Sequence, residues 1–203
     1  MYIPGHFKEE DHEQLIAFMR EYNFASLVSV SGAKPIATHL PFVIREENGK
    51  LFLVAHMAKA NPQWETLSAN EALVIFQGPH AYISPKHYEK QQNVPTWNYI
   101  AVHAYGNTRL ISDSKELFAL METTIRSFES GFMSQWKDLS PSYVEGMLKA
   151  IVGFEIEVTK LEGKFKLSQN KTTTEQKNII AELEDSKDPL KEGIASEMKK
   201  KLK

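Results

Sequence analysis

Three short stretches of this chain place polar, chemically capable side chains where apolar runs stop. In HMAKANPQW, His56, Lys59 and Asn61 fall together just after the run LFLVA. Asn61 followed by Pro62 reads as a helix N-cap with proline at the first helical position, where its missing N–H costs nothing. A helix start presents unpaired N–H groups and partial positive charge, so His56, Lys59 and this start together suit a phosphate. Taken alone, the fragment is equally a cap beside a solvated lysine. Upstream, PIATHLPF sets Thr38 and His39 in an otherwise apolar run. If residues 35–44 and 51–56 form one hairpin, Thr38 and His39 lie beside His56 and add a hydroxyl and an imidazole to the same anion. A hydrogen-bonded core histidine is the plainer account of His39.

The second stretch is VPTWNYIAVHAYG. Strand alternation puts Thr96 and Asn98 on one face and Trp97 and Tyr99 on the other. Such a strand can wall a flat conjugated ligand and offer it an amide, although core-facing aromatics give the same pattern. The third stretch, GKFKLSQNK, puts Lys164, Lys166 and Ser168 on one face and Phe165, Leu167 and Gln169 on the other. Lysines there protect a strand edge. The polar run Ser168, Gln169, Asn170 at the strand end is harder to assign to structure alone.

Other chemistries lack support. The seven histidines show no HxxxH or HExxH spacing, and no GxSxG, Walker A or GxGxxG occurs. Without cysteine there is no disulfide, thiolate metal site or cysteine nucleophile. The formal net charge of −2 gives no general electrostatic reason to expect a nucleic-acid partner. The N-terminus lacks a signal peptide pattern, and no apolar run approaches the roughly 20 residues of a membrane helix, so a cytoplasmic protein without membrane attachment is expected.

The elements that must position these residues are mostly strands. Leu15, Ile16, Met19 and Tyr22 form the stripe of a first helix. FASLVSV, PIATHLPFVI and LFLVAH, separated by SGAK and REENGK, predict two consecutive hairpins. EALVIFQG and HAYIS predict one further strand or two, and TWNYIAVHAYGNTRLI a long one, with Gly106 marking a bulge or bend. Asp113 with Glu116 opens a helix, Ser140-Pro141 opens another, and IVGFEIEVTKLEGKFKLSQN reads as a hairpin turning at Glu162-Gly163. Beyond Lys171 the sequence becomes polar, with Leu190, Ile194, Met198 and Leu202 on a narrow stripe after Pro189. Hairpins without βαβ alternation predict a mainly β barrel with peripheral helices over 1–171 and a partly helical extension over 172–203.

The blocks MYIPGHF, HLPF, HMAKANPQW, FQGPHAYISP, VPTWNYIAVHAYG and the KLSQN strand, in this order, resemble the PaiB family of FMN-binding negative transcriptional regulators. The resemblance implies a split β-barrel like those of pyridoxamine-phosphate oxidases and flavin reductases, as a homodimer with FMN at the subunit interface. Carried onto matching blocks, it points to Thr38, His39, His56, Lys59 and Asn61 for the phosphate. Trp97 and Asn98 then face the isoalloxazine, and Ser168, Gln169 and Asn170 close the site. Lys59 stands where arginine is the commoner choice, which keeps the charge and loses bidentate geometry. The expected function is FMN-dependent regulation. The alternatives are a flavin-dependent oxidoreductase, using NAD(P)H or resembling pyridoxamine-phosphate oxidase, and a haem or flavin binding module. No residue stands out as a catalytic acid or base. Direct DNA binding lacks a helix-turn-helix pattern to carry it.

Overall fold

The apolar patterns set most of the elements. In the computed structural model, which describes residues 1–202, a two-residue strand β1 (Lys8–Glu9) precedes α1 (His12–Glu21), where Leu15, Ile16 and Met19 are buried on one stripe. Strands β2 (Phe24–Ser31) and β3 (Lys34–Pro41) form a hairpin across Gly32-Ala33, with Gly32 at φ +60°. Strands β4 (Val43–Glu47) and β5 (Lys50–Ala58) form the next across Asn48-Gly49, where both residues have positive φ, as a type I′ turn requires. A short helix α2 (Trp64–Leu67) leads to the long strands β6 (Ala72–Ile83) and β7 (Thr96–Ile111). Helices α3 (Ser114–Phe128), α4 (Met133–Asp138) and α5 (Pro141–Lys149) precede β8 (Ile151–Lys166), and α6 (Thr173–Asp185) and α7 (Pro189–Lys201) follow it. The hydrogen-bonded strand order is β3-β2-β6-β7-β8-β5-β4, with β1 on β8. The fold is thus mainly antiparallel β with helices.

Two compact units share the chain, and β6, β7 and β8 run through both. The first comprises residues 1–18, 77–102 and 162–203. Here α6 buries Ile179, Ile180 and Leu183, and α7 buries Ile194, Ala195 and Met198. Thr172 and Glu175 form a reciprocal capping box on α6, and Asp188 caps α7 ahead of Pro189. The second unit comprises residues 19–76 and 103–161. Its core includes Val54, Ile111, Leu117 and Leu120, and a ring cluster in which Phe42 meets Phe76 and Phe154 edge-on at centroid distances of 6.0 and 6.3 Å.

Three local expectations are corrected. Residues 35–44 are not one strand: β3 ends at Pro41, the Phe42 N–H still donates to the carbonyl of Asn23 in the β2–β3 register, and from Val43 the chain pairs with β5 as β4. Consequently Thr38 pairs with Leu27 and His39 with Ser26, whereas His56 pairs with Gly153. The segment around Glu162-Gly163 is not a hairpin turn; β8 continues through it. Gly163 is needed because a Cβ there would come within 2.3 Å of the Leu15 side chain. Gly106 lies within β7, where a Cβ would stand 2.3 Å from the Glu157 carbonyl oxygen, so close approach of backbone accounts for the glycine. Helix α6 was hidden by its polar surface, because only its capping box and three buried residues mark it.

Candidate functional site

In the second unit, β3 and the segment after β5 build a polar network. Thr38 Oγ1 donates to Gln63 Oε1 at 2.5 Å and accepts from Asn61 Nδ2 at 2.8 Å. The Gln63 N–H donates to Asn61 Oδ1 at 3.0 Å. Gln63, only 2% exposed, donates its side-chain amide to the Leu27 carbonyl and to Ser29 Oγ, both at 3.1 Å. Thr38 and Asn61 therefore direct their polar groups at each other and at Gln63, which satisfies buried polar atoms that would otherwise be costly. Gln63 escaped the sequence reading because a lone glutamine after a proline carries no pattern.

The expected helix start also shifts. Asn61 caps a turn, and α2 begins only at Trp64 with Gln63 as its N-cap and no side-chain capping bond. Four residues make too short a helix for a substantial macrodipole, so the anion argument falls back on side chains. His39 neighbours Thr38 on β3 and so faces the other side of the sheet; its Nδ1 lies 2.9 Å from Ser26 Oγ. His56 is half-buried, and burial pushes its imidazole below the ordinary histidine range, so near neutral pH it offers hydrogen bonding but no charge. Lys59 is exposed. Its backbone is fixed at both ends, since its N–H donates to the Ala150 carbonyl at 2.8 Å and its carbonyl accepts from Trp64 Nε1 at 3.0 Å. The side chain lines a 360 Å³ cavity with Trp64, Ser112, Ser114 and Lys149.

In the first unit, Trp97 is 51% exposed, with His80 and Tyr82 at centroid distances of 5.6 and 6.1 Å. Asn98 points the other way and is fully buried. Its carboxamide exchanges hydrogen bonds with Ser168 Oγ at 3.0 and 3.1 Å, and Nδ2 lies 3.5 Å from Met198 Sδ. Ser168 holds a positive φ of 62°, uncommon for a residue with a Cβ. Gln169 folds back: its side chain accepts from the Leu167 N–H at 2.7 Å and donates to the Phe165 carbonyl. Asn170 is exposed.

Asn98, Ser168 and Asn170 line one 250 Å³ pocket together with Lys166, Lys171 and Tyr88. Lys166 Nζ reaches Thr96 Oγ1, and desolvation, then the charge of Lys164, lowers its pKa. Lys171 Nζ donates to Asn93 Oδ1 at 2.9 Å and sits 3.7 Å from the centre of the Tyr88 ring. The Tyr88 hydroxyl is buried and has no hydrogen-bond partner among the described residues. Two ammonium groups, an amide and an unsatisfied hydroxyl thus converge on a small pocket. That donor set suits an anionic, hydrogen-bonding group; the volume, below the ~300–1,000 Å³ of whole-ligand sites, admits one end of a larger molecule. Tyr88 and Lys171 were missed in the sequence because the loop PKHYEKQQNVP has no periodicity to aim them.

Comparison with known proteins agrees with this chemistry. A family model described as "Putative FMN-binding domain" matches residues 1–160. "Protease synthase and sporulation protein PAI 2" of Bacillus subtilis is 40% identical over 207 residues, covering 100% of this chain and 99% of that protein. The similarity therefore extends over α6 and α7. Among solved structures, the flavocytochrome Anf3 of Azotobacter vinelandii superposes with a TM-score of 0.61 at 15% identity, covering 78% of this chain and 69% of that one. The FAD and haem binding protein of Mycobacterium smegmatis gives 0.60 at 16%, covering 79% and 73%. At such identities the likeness speaks for the fold, the split β-barrel expected from the sequence.

Proposed function

The chain belongs to the PaiB family of FMN-binding domains, and from that premise we propose that it is an FMN-binding homodimer acting as a negative transcriptional regulator. The observation that carries FMN binding is the first-unit pocket, where Lys166, Lys171, Asn170 and the unpartnered Tyr88 hydroxyl fit an anionic, acceptor-rich group. The bound flavin supplies redox chemistry, and the protein supplies binding, orientation and electrostatics.

Of the ten residues expected at the cofactor, Trp97 and Asn170 are the first-unit residues with open groups, and we assign them direct contact. In the second unit, Lys59, whose ammonium has no partner among the described residues and whose backbone is pinned at both ends, offers a separate charge for an anionic group. Exposed Trp97 offers an aromatic face. His39 and His56 supply hydrogen-bonding groups, and burial keeps His56 uncharged near neutral pH. Thr38 and Asn61 position the segment that carries Lys59, and Asn98, Ser168 and Gln169 shape the pocket wall through their internal bonds.

Regulation and the dimer rest on the family. No helix among the described residues is long and apolar enough to cross a membrane, and we take the cytoplasm as the place of action. An absorption spectrum of the purified protein, with mass identification of whatever acid releases, tests the cofactor. A flavin spectrum with released FMN is expected. A colourless protein that takes up no added FMN overturns the reading.

A further inference from the structure

The second unit holds a pocket lined by none of the residues assigned to FMN. Between α3, α4 and α5 lies an open pocket of 510 Å³ lined by Phe118, Trp136, Leu139, Pro141, Val144 and Leu148. Phe118 and Trp136 lie with ring centroids 5.5 Å apart and planes tilted by 36°, forming one aromatic wall. That volume lies within the ~300–1,000 Å³ range of small-molecule sites, and an apolar lining with few polar groups is their usual composition.

Three polar features give the pocket a sign. The Trp136 indole N–H is buried and has no acceptor among the described residues. An indole N–H can only donate, so it is left unsatisfied until an acceptor enters. Lys115 and Lys137 also line the pocket, and neither ammonium forms an ion pair or a hydrogen bond among the described residues. The one carboxylate on the lining, Glu145, is already neutralised by Lys149 at 2.8 Å. The lining is therefore apolar and aromatic in its body and cationic in its charged groups.

We propose that this pocket binds a small amphipathic anion, an aromatic carboxylate whose ring packs on Phe118 and Trp136 and whose carboxylate meets Lys115, Lys137 or the indole N–H. Such a ligand supplies the missing acceptor and the missing negative charge in one molecule. The pocket shares Ser114, Glu145 and Leu148 with the cavity that Lys59 lines, but Lys59 itself is not on its lining.

The test uses the full-length protein with 1-naphthoate as probe, followed by calorimetry and by the indole N–H signals of the three tryptophans in a proton–nitrogen correlation spectrum. Trp136→Phe identifies which signal belongs to the pocket. Saturable binding that moves the Trp136 signal is expected, with neutral 1-naphthalenemethanol binding more weakly. The Lys115→Gln/Lys137→Gln variant, altered only at exposed lysines, is expected to weaken naphthoate binding by roughly tenfold, as loss of two rim charges implies. No saturable binding, equal binding of the neutral alcohol, or an unchanged affinity in the double variant overturns the proposal. Added FMN is expected to leave the naphthoate isotherm unchanged; displacement would also overturn it by placing both ligands in one site.

Discussion

Ser168 Oγ and the Asn98 carboxamide exchange hydrogen bonds in both directions, at 3.0 and 3.1 Å, inside a fully buried environment. Ser168 does this from a left-handed backbone conformation that usually costs a residue with a Cβ. Removing the hydroxyl leaves the buried amide without its main partner. Ser168→Ala should therefore destabilise the fold by about 1–3 kcal/mol. Urea unfolding with an unchanged slope and a lowered midpoint is the expected observation; an unchanged midpoint would show that water replaces the hydroxyl.

Lys59 and Lys166 are cations with different surroundings. Lys59 is exposed and its ammonium has no partner among the described residues, whereas desolvation, then the charge of Lys164, lowers the pKa of Lys166. If both serve the cofactor, Lys59→Ala and Lys166→Ala should each weaken FMN affinity by about tenfold or more, the usual worth of a charge-assisted bond. Equilibrium fluorescence titration with FMN reads this directly. A variant with wild-type affinity removes that lysine from the site.

How far the sequence could be read depended on pattern. Asn48-Gly49 and the stripe Leu15, Ile16, Met19 carry local signals that no tertiary contact overrides, and both formed as expected. The polar pairing of Thr38, Asn61 and Gln63 was not legible, because it depends on where Pro41 ends a strand and on a glutamine with no local signature. Gly163 looked like turn chemistry; only the nearness of Leu15 reveals it as a space requirement. Asn98 and Ser168, 70 residues apart in sequence, bond to each other, a pairing that strand alternation alone could not reveal.

Acid should weaken the fold through its histidines. Burial lowers the pKa of His56; burial lowers that of His87 too, with Lys86 adding and Glu182 opposing. Below the ordinary histidine pKa, near 6.5, the unfolded chain then binds protons that the folded one resists. Stability is complete above that value and falls as the pH drops through the depressed folded values. Urea midpoints measured from pH 7.5 down to pH 5.5 should decline, and His56→Gln should flatten part of the slope. An identical slope in the variant would mean that His56 does not contribute.

Gly106 faces the Glu157 backbone so closely that a Cβ would stand 2.3 Å from its carbonyl oxygen, and a carbonyl in a ladder cannot swing aside as a side chain can. Gly106→Ala should cost about 1–3 kcal/mol by overpacking. Thermal unfolding would show a lowered midpoint. An unchanged one would mean that β7 and β8 separate locally at little cost.

Met198, on α7, is 1% exposed, and its sulfur lies 3.5 Å from the Asn98 amide nitrogen. The terminal helix therefore touches the same asparagine that Ser168 holds, so its contribution should reach the pocket wall. Met198→Ala should cost about 2–5 kcal/mol, the usual range for a buried truncation. Because Ser168 and Met198 share one partner, their effects should not add. A double-mutant cycle between Ser168→Ala and Met198→Ala should show a coupling of at least ~0.5 kcal/mol. Strict additivity would separate α7 from the pocket and leave Asn98 held by Ser168 alone.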